Sequence, residues 1–334
     1  MIMTITGQRI FITGGTGFIG TALCKQLADE NELVVFDNCY RGKPQEKHLS
    51  HKNITVIQGD ILDKSALLKS MVNCTYVIHL ASIAGIDTTV KMPVKVMQVG
   101  IIGLFNVLDV AKDIKGVKRL INFSTSEIFG EFCYKPEEGE CSKLGSVGEA
   151  RWTYAVSKLA GEHLANNYSK AYGIPVTSVR PFNIYGPGQI GEGAVHNFVV
   201  RALNGDPLII RNDGSQIRSW CYIDDIVDSM NLILTNEAAA GQIFNIGNPR
   251  STLTIAHLAE MIVSLSDSSS DIVYQKWDGA DIGLRIPNVE KARNLLGFEP
   301  KVDLKEGLLK TIEWYRQSSK QNFVQRSREA PCSA

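Results

Sequence analysis

The chain has 334 residues, of which 44% are hydrophobic and 21% charged, and its 35 Lys and Arg residues balance its 35 Asp and Glu residues. A zero net charge argues against a nucleic-acid-binding protein, which would carry a basic excess. No run reaches the ~20 apolar residues of a membrane span, and the N-terminus lacks the regions of a secretion signal. The seven cysteines are scattered without a CxxC pair, which indicates a cytoplasmic protein without a disulfide framework or a zinc site.

The first half of the chain alternates short β-branched runs with longer segments of helical period. This alternation predicts right-handed βαβ crossovers and therefore an α/β fold with a doubly wound parallel sheet of the Rossmann type. The runs VVF, TYVIHLA and LINFS are apolar on both faces, as buried parallel strands are. The predicted strands are Arg9–Thr13, Leu33–Asp37, Thr55–Asp60, Tyr76–Ala81, Arg119–Thr125 and Val176–Arg180, and the predicted helices begin near Phe18, Lys64, Pro93 and Trp152.

In the second half the alternation breaks after a loop rich in Gly and Pro. We predict a Rossmann domain over 1–181 with a return segment near 219–247, a smaller mixed substrate-binding domain over 182–218 and 248–316, and a flexible tail over 317–334. The predicted elements are a loop Asn183–Gly193, a helix Ala194–Leu203, a strand Leu208–Ile210, return elements Tyr222–Thr235 and Gln242–Gly247, and cap helices Thr254–Leu265, Val289–Leu296 and Leu304–Tyr315.

A glycine-rich turn, GGTGFIG at residues 14–20, lies between the first predicted strand and the first predicted helix. Glycines there allow a tight turn and let backbone N–H groups approach a pyrophosphate at the helix N-terminus. Asp37 ends the next strand, where its carboxylate can bind a ribose and repel a 2′-phosphate, so NAD is favoured over NADP. Arg41 lies close enough to weaken that preference. The candidate cofactor residues are Gly14, Gly17, Phe18, Ile19, Gly20, Asp37, Asn38, Asp60, Ile61, Leu80, Ala81 and Ser82.

Tyr154 and Lys158 form a YxxxK pair on a predicted helix. Residues four apart share a helix face, so the ammonium of Lys158 is expected beside the phenol. That charge, together with an oxidised nicotinamide, is expected to lower the pKa of Tyr154 from its ordinary value near 10. The pair therefore predicts a general base that removes a hydroxyl proton while the carbon below transfers hydride to NAD⁺. Both residues join the candidate cofactor contacts.

Polar residues also end a strand on the expected substrate side. Thr125, Ser126 and Glu127 follow a buried strand, and the carboxyl ends of parallel strands open onto the ligand crevice. We expect the hydroxyls to hold the reacting hydroxyl of the substrate and Glu127 to act as a second base. Arg218 and Arg285 are candidates for binding a diphosphate, because one guanidinium group can donate two parallel hydrogen bonds to phosphate oxygens. The six histidines suggest no metal site. The candidate substrate contacts are Thr125, Asn183, Arg218 and Arg285.

These motifs resemble those of extended short-chain dehydrogenases/reductases, specifically the NAD-dependent nucleotide-sugar epimerase/dehydratase family. The resemblance extends to about Tyr315 and rests on GGTGFIG, HLAS, STSEIFG, YAVSK, RPFNIYGPG, RSWCYIDD and DIGLRIPN. It implies a tightly held NAD⁺ that oxidises C4 of a UDP-, dTDP- or GDP-sugar and is regenerated in each turnover. It also implies that Arg218 and Arg285 contact the diphosphate or nucleoside, and that a homodimer forms through a four-helix bundle. Independently of the resemblance, the predicted helices Pro93–Lys112 and Trp152–Tyr172 carry apolar residues on more than one face, which favours a dimer contact there.

Within the family, Thr-Ser-Glu at residues 125–127 resembles sugar 4,6-dehydratases and UDP-glucuronate decarboxylases more than 4-epimerases. We predict a lyase, and first a dehydratase of a UDP-sugar, with UDP-GlcNAc as a candidate, in which Glu127 removes the C5 proton while the C6 hydroxyl leaves. Ser126 replaces the Asp that many dehydratases use as the acid at C6. The sequence Arg-Trp-Thr-Tyr at 151–154 resembles UDP-glucuronate decarboxylases, which are the second prediction. A UDP-sugar 4-epimerase is third, and a non-catalytic NAD-binding sensor is the alternative from another class.

Overall fold

The computed structural model describes residues 4–41 and 49–329, with side chains up to residue 318. Strands and helices alternate through its first half. The strands are β1 (Arg9–Thr13), β2 (Glu32–Asp37), β3 (Ile54–Gln58), β4 (Tyr76–His79), β5 (Arg119–Phe123), β6 (Phe132–Tyr134), β7 (Val176–Pro181), β8 (Ile184–Tyr185), β9 (Leu208–Arg211), β10 (Ile217–Ser219), β11 (Cys221–Tyr222), β12 (Ile243–Ile246), β13 (Thr252–Thr254), β14 (Ile272–Gln275) and β15 (Leu284–Ile286). The α-helices are α1 (Phe18–Leu27), α2 (Lys64–Ser70), α3 (Ile86–Lys91), α4 (Pro93–Met97), α5 (Leu104–Asp113), α6 (Thr153–Tyr172), α7 (Ala194–Asn204), α8 (Ile223–Thr235), α9 (Ile255–Leu265), α10 (Glu290–Leu296) and α11 (Leu304–Glu329).

Seven strands form one sheet in the order β12-β7-β5-β4-β1-β2-β3. All of its pairs are parallel, and in the centre Ile12 lies opposite both Val35 and Ile78. Every residue of β5 is buried, as expected where helices cover both faces of a parallel sheet. The predicted α/β fold with a doubly wound sheet is confirmed. The last strand, β12, joins the sheet beside β7.

The direction of winding reverses at β1, which has β2 on one side and β4 on the other. In such sheets a crevice opens between the carboxyl ends of the two strands at the reversal. The glycine turn at 14–20 follows β1 and residues 80–82 follow β4. The topology therefore brings both predicted parts of a dinucleotide site to one edge of the sheet.

The remaining strands form a smaller mixed region. A four-stranded sheet has the order β13-β10-β15-β6, in which only the β10–β13 pair is antiparallel. Two short parallel pairs, β8–β11 and β9–β14, complete it. Buried Val179 and Phe244 of the main sheet belong to the same apolar cluster as Phe198 and Leu258 of this region. The two parts of the chain therefore share one core.

The helix predicted from Pro93 is interrupted by a π-helical turn, Gln98–Gly103, between α4 and α5. A Cβ on Gly100 would lie 2.6 Å from the Ser157 hydroxyl oxygen on α6, so the glycine lets the two helices approach closely. The sequence was expected to contain no segment with the length and composition of a membrane span, but the combined helix Pro93–Asp113 is long and apolar enough to cross a bilayer. However, 56% of its most apolar window is buried in the fold. That burial is typical of a core helix.

The last helix, α11, is longer than predicted. We expected it to end at Tyr315, because the sequence beyond Gln317 is polar and lacks an apolar period, but it continues to Glu329. Residues 317–329 contain no Gly or Pro, and such a sequence can extend a helix whose first turns are already packed. The flexibility expected for the tail stays a prediction, and residues 330–334 lie outside the described residues.

Candidate active site

Two adjoining cavities lie at the carboxyl edge of the main sheet. The first encloses about 650 Å³, and the second, on the side of the smaller region, about 620 Å³. Glu127, Asn183 and Arg285 line both cavities, whereas Arg218 lines only the second. The first cavity is lined by every residue predicted to contact the cofactor and by the residues after β5: Gly14, Gly17, Phe18, Ile19, Gly20, Asp37, Asn38, Asp60, Ile61, Leu80, Ala81, Ser82, Thr125, Ser126, Glu127, Tyr154 and Lys158.

The glycine turn forms the floor of the first cavity. Gly14 has a φ of 71°, and a Cβ there would lie 2.6 Å from the backbone nitrogen of Ala81. Only glycine therefore lets β1 end this close to the segment after β4. Among the described side chains, none caps the N-terminus of α1, and Phe18 and Ile19 of its first turn line the cavity. Free N–H groups at a helix N-terminus bind anions, so this turn fits a pyrophosphate.

Asp37 is held in place at the end of β2. Its two carboxylate oxygens accept hydrogen bonds from the backbone nitrogens of Thr16, at 3.0 Å, and of Cys39, at 2.8 Å. The carboxylate thus stands between the glycine turn and the loop after β2, where an adenosine ribose would lie in this fold. Arg41 donates to the carbonyl oxygen of Ala84 on the loop after β4. Its guanidinium is thereby engaged away from β2.

Tyr154 and Lys158 lie in the first two turns of α6. The Lys158 Nζ donates to the carbonyl oxygen of Phe123, at the end of β5, over 2.6 Å, and lies 5.8 Å from the centre of the Tyr154 ring. Burial lowers the pKa of Lys158 to about 8, and the carboxylate of Glu162 opposes that shift. The ammonium is therefore near the phenol, as predicted, but its hydrogen bond goes to the strand.

The predicted direction of the Tyr154 pKa shift is wrong for the protein alone. Burial raises the pKa of Tyr154 well above its ordinary value and Glu127 adds to the rise, while hydrogen bonding to Ser82 and Thr125 opposes it. The reason is that the free-energy cost of removing a phenolate from water is larger than the stabilisation by these hydrogen bonds and by the charge of Arg41. The other contribution named in the prediction, the positive charge of an oxidised nicotinamide, belongs to the loaded enzyme.

Arginines converge on the second cavity. Arg218 and Arg285 are register partners on β10 and β15. Arg218 donates to the carbonyl oxygen of Ile282, and Arg285 to that of Gly130 at 2.9 Å. Burial and the charge of Arg285 lower the pKa of Arg218 to about 10. The two guanidinium groups are thus buried close together, at a cost that an anionic ligand would offset.

A third arginine, Arg151, was not among the predicted site residues. Its Nη1 lies 3.1 Å from a carboxylate oxygen of Glu127, and both residues line the second cavity. The Nε atoms of Arg151 and Arg285 are buried and have no hydrogen-bond partner in the described part of the chain. The signal available in the sequence was the Arg-Trp-Thr-Tyr motif at 151–154, which resembles that of UDP-glucuronate decarboxylases.

Three aromatic residues of the second cavity were not among the predicted site residues. Trp277 stacks on Arg211, with the guanidinium carbon 3.9 Å from the ring centre, and Trp220 and Phe198 line the same space. Asn183 has a φ of 35° and donates to the carbonyl oxygen of Ser219 at 2.8 Å, so its side chain fixes a turn as well as facing both cavities. Within the described ranges, His, Cys, Asp and Glu side chains form no group of three suited to a metal.

The model of the NAD dependent epimerase/dehydratase family matches residues 10–247. The chain belongs to this family. NAD is its cofactor, and the uncapped N-terminus of α1, with Asp37 beside it, fits that group. The identification made from the motifs is confirmed.

Similar proteins reduce the number of activities that this chain is expected to have. UDP-N-acetyl-alpha-D-glucosaminuronate decarboxylase of Bacillus cytotoxicus is 35% identical over 320 residues, which cover 93% of this chain and 98% of that protein. UDP-glucuronic acid decarboxylase 5 of Arabidopsis thaliana is 34% identical, with 91% and 88% covered. The crystal structure of UDP-glucuronic acid 4-epimerase from Bacillus cereus with UDP-glucuronic acid and NAD is similar, with a TM-score of 0.84 at 28% identity over 93% and 99% of the two chains. The prediction of an NAD-dependent enzyme of the lyase type is confirmed, and these relatives favour the decarboxylase over the dehydratase placed first.

Proposed function

We propose that this protein is an NAD-dependent decarboxylase of a UDP-hexuronate, either UDP-glucuronate or its 2-acetamido counterpart. The decarboxylases among its relatives act, by their names, on one or the other of these sugars. The proposal replaces our first prediction, a dehydratase, with our second. The roles of the individual residues given below are part of the proposal.

The observation that carries the proposal is that three guanidinium groups lie around Glu127, which lines both cavities. Arg151, Arg218 and Arg285 face two carboxylates, Glu127 and Asp281, so the cluster has an excess of positive charge before any ligand binds. A UDP-hexuronate brings a diphosphate and a C6 carboxylate. Arginine binds both kinds of oxyanion in a bidentate manner, so the cluster suits a sugar that is itself charged.

The same residues disfavour the elimination of water. A C6 hydroxyl leaves as water only when an acid protonates it. The residue after Thr125 is Ser126, which is buried and is too weak an acid for that step. Glu127 accepts a hydrogen bond from Arg151 at 3.1 Å. Its carboxylate is therefore arranged to accept a hydrogen bond and not to donate a proton to C6. A C6 carboxylate, in contrast, leaves as CO₂ without a proton donor.

In the proposed reaction the residues of the chain have the following roles. NAD⁺, when bound, accepts hydride from C4 of the sugar and returns it to the same carbon. Tyr154 Oη takes the proton of the 4-hydroxyl, and the hydroxyl of Thr125 holds that oxygen. The resulting 4-ketone makes C6 the carboxylate of a β-keto acid, so the C5–C6 bond breaks and its electrons pass into the ketone as CO₂ leaves. The enolate then takes up a proton from solvent at C5, and as hydride returns to C4, Tyr154 returns its proton to O4.

The test is a substrate panel read by mass spectrometry. The protein is incubated separately with UDP-glucuronate, UDP-N-acetylglucosaminuronate, UDP-GlcNAc, UDP-glucose and dTDP-glucose. We expect one of the two uronates to lose the mass of CO₂ and the neutral sugars to be unchanged. Loss of the mass of water from a neutral sugar would overturn the proposal in favour of a dehydratase, and a change of retention without a change of mass would overturn it in favour of a 4-epimerase.

We further propose that the protein is a homodimer built on α4, α5 and α6. Apolar residues stay exposed along these helices, among them Val94 at 70%, Ile102 at 49% and Phe105 at 42%. The Phe105 ring contacts that of Tyr168 on α6, with centres 6.0 Å apart, so the exposed surface is continuous across the two helices. An apolar face of this kind favours association with a second copy. The cytoplasmic location also stays a proposal, and the six described cysteines, all free, favour a reducing compartment.

A further inference from the structure

The end of β5 contacts α6 at three successive turns of the helix. Thr125 lines the same cavity as the phenol of Tyr154, the carbonyl oxygen of Phe123 accepts from Lys158, and the hydroxyl of Ser124 donates to Glu162. On the helix these three partners are spaced by four residues, so they lie on one face. The last residue of β5 and the two residues that follow it thus face three consecutive turns of α6.

Glu162 is the best anchored of the three helix residues. Its carboxylate accepts from the Nε and Nη2 atoms of Arg180 on β7, at 2.9 and 2.7 Å. The side chains of Glu162 and Arg180 are 4% and 5% exposed, and the Nη1 of Arg180 also donates to the carbonyl oxygen of Glu138 at 2.9 Å. This buried ion pair takes no part in the mechanism above, although it lies one helical turn from Lys158.

We propose that Glu162 is a positioning residue for the Tyr154–Lys158 pair, which it serves by fixing the strand end through Ser124 and by stabilising the charge of the buried ammonium. If Glu162 had only a structural role, its ion pair with Arg180 would be enough, and the bond to Ser124 would not be needed. The bond to Ser124 ties Glu162 to the residue between Phe123, which holds Lys158, and Thr125, which lines the cavity beside Tyr154. Any shift of α6 along β5 would then break the bonds of Lys158 and Glu162 together and move Tyr154 relative to Thr125.

The charged groups around Lys158 define the electrostatic part of this role. Glu162 and Tyr154 flank it on α6, the neutral His79 faces it from β4, and Arg180 lies behind Glu162 on β7. Because burial already disfavours the ammonium, loss of the Glu162 charge would let it deprotonate at a lower pH. Loss of the Arg180 charge would act in the opposite direction.

The first experiment uses the protein without substrate. Lysines are labelled with ¹³C at Cε, the Lys158 signal is assigned by its absence in Lys158→Met, and its titration is followed by NMR. We expect Glu162→Gln to lower the pH of half-titration by about one pH unit, and Arg180→Gln to raise it. Glu290→Gln, which removes a surface carboxylate paired with Arg293, is the matched control and should leave it unchanged. Titration at the wild-type pH in Glu162→Gln, or shifts of the same sign in both variants, would overturn the electrostatic role.

The second experiment tests positioning and rests on the proposed function, because it follows decarboxylation. Ser124→Ala keeps the Glu162 charge but removes its bond to the strand end. We expect kcat to fall about tenfold with KM and the Lys158 titration unchanged, whereas Glu162→Gln should move the alkaline fall of kcat to lower pH. Wild-type kcat in Ser124→Ala would overturn the positioning role. Failure of the wild-type enzyme to decarboxylate either uronate would reject the proposed function alone, since the NMR titration needs no substrate.

Discussion

The phenol of Tyr154 lies in a buried site whose own residues favour its neutral form. A base in such a place works only when the charge it acquires is stabilised by groups brought together for the reaction. In the protein alone, hydrogen bonding to Ser82 and Thr125 and the charge of Arg41 oppose the rise in the pKa of the phenol but do not cancel it. We therefore expect the phenol to stay protonated until substrate and cofactor are bound.

Tyr154→Phe should abolish turnover while leaving the cofactor bound. The substitution removes only the hydroxyl oxygen that accepts the proton of the 4-hydroxyl, and loss of a general base typically costs about 10²- to 10⁴-fold in rate. The measurement is the rate of CO₂ release, together with the NAD content of the purified variant after denaturation. Full activity in this variant would rule out the mechanism, and loss of NAD would show that the phenol is needed for binding.

Arg151→Gln should weaken recognition of the uronate without weakening recognition of UDP. The guanidinium is buried beside Glu127, and its Nε has no partner in the portion of the chain described here. A lost hydrogen bond between charged groups costs about 1.5–3 kcal/mol, so kcat/KM should fall roughly 10- to 100-fold. The affinity for UDP, measured by calorimetry, is the internal control. An equal loss of affinity for UDP would place Arg151 at the nucleotide instead.

At the scale of the elements, the turn between β1 and α1 depends on the absence of a side chain at residue 14. Gly14→Ala should destabilise the protein and remove NAD, since it combines a left-handed φ of 71° with a Cβ at 2.6 Å from the Ala81 nitrogen. The left-handed conformation alone costs about 1–2 kcal/mol. Gly116→Ala is the matched control, because Gly116 has a φ of 89° but open space around its Cα. The melting temperature and bound NAD of both variants are measured, and equal effects would show that the close approach to β4 is unimportant.

Elements that carry their own pattern could be predicted from the sequence. The runs of β1, β2, β4 and β5 are short, apolar on both faces and separated by helical segments. Their carboxyl ends gather the predicted cofactor residues because the strands are parallel and therefore end at the same edge of the sheet. The proximity of Tyr154 and Lys158 could be predicted from the helix period alone, and the position of Glu127 could be predicted because it follows β5.

What the sequence could not predict depends on long-range pairing and burial. Strands β6, β10, β13 and β15 have three residues each, too few for a period to emerge, and they are defined by partners far away in the chain. The Arg151–Glu127 pair and the rise in the Tyr154 pKa likewise require knowledge of which groups lose contact with water. The extra turns of α11 depend on helix propensity, which hydrophobic patterning does not measure.

At the scale of the whole molecule, the proposed dimer predicts that a charge on the exposed helix face will produce monomers. Phe105→Glu places a carboxylate on α5, where the side chain is 42% exposed and contacts Tyr168. We expect sedimentation velocity to show a dimer for the wild type and a monomer for the variant, with NAD still bound. Val273→Glu, at a side chain that is 44% exposed on β14, is the control and should stay dimeric. A monomeric wild type would contradict the proposal.

The stability of the molecule should fall on mild acidification because of one buried histidine. His79 on β4 shares a hydrogen bond of 2.8 Å with the Thr13 hydroxyl on β1. Burial, and to a lesser degree the charge of Lys158, lowers the pKa of His79 to about 3 from its ordinary 6.5. Between these two values the unfolded chain binds a proton that the folded protein does not.

The free energy of unfolding should therefore decline as the pH falls from about 6.5 toward 3, with a slope from this residue of at most about 1.4 kcal/mol per pH unit. Urea titrations at pH 4.5–7.5 measure the slope, and His79→Asn, which cannot take up the proton, isolates the contribution of His79 from that of the carboxylates. The variant should be less stable at neutral pH, because it loses packing, but its stability should depend less on pH. Parallel curves for the two proteins would mean that His79 can be protonated within the folded sheet.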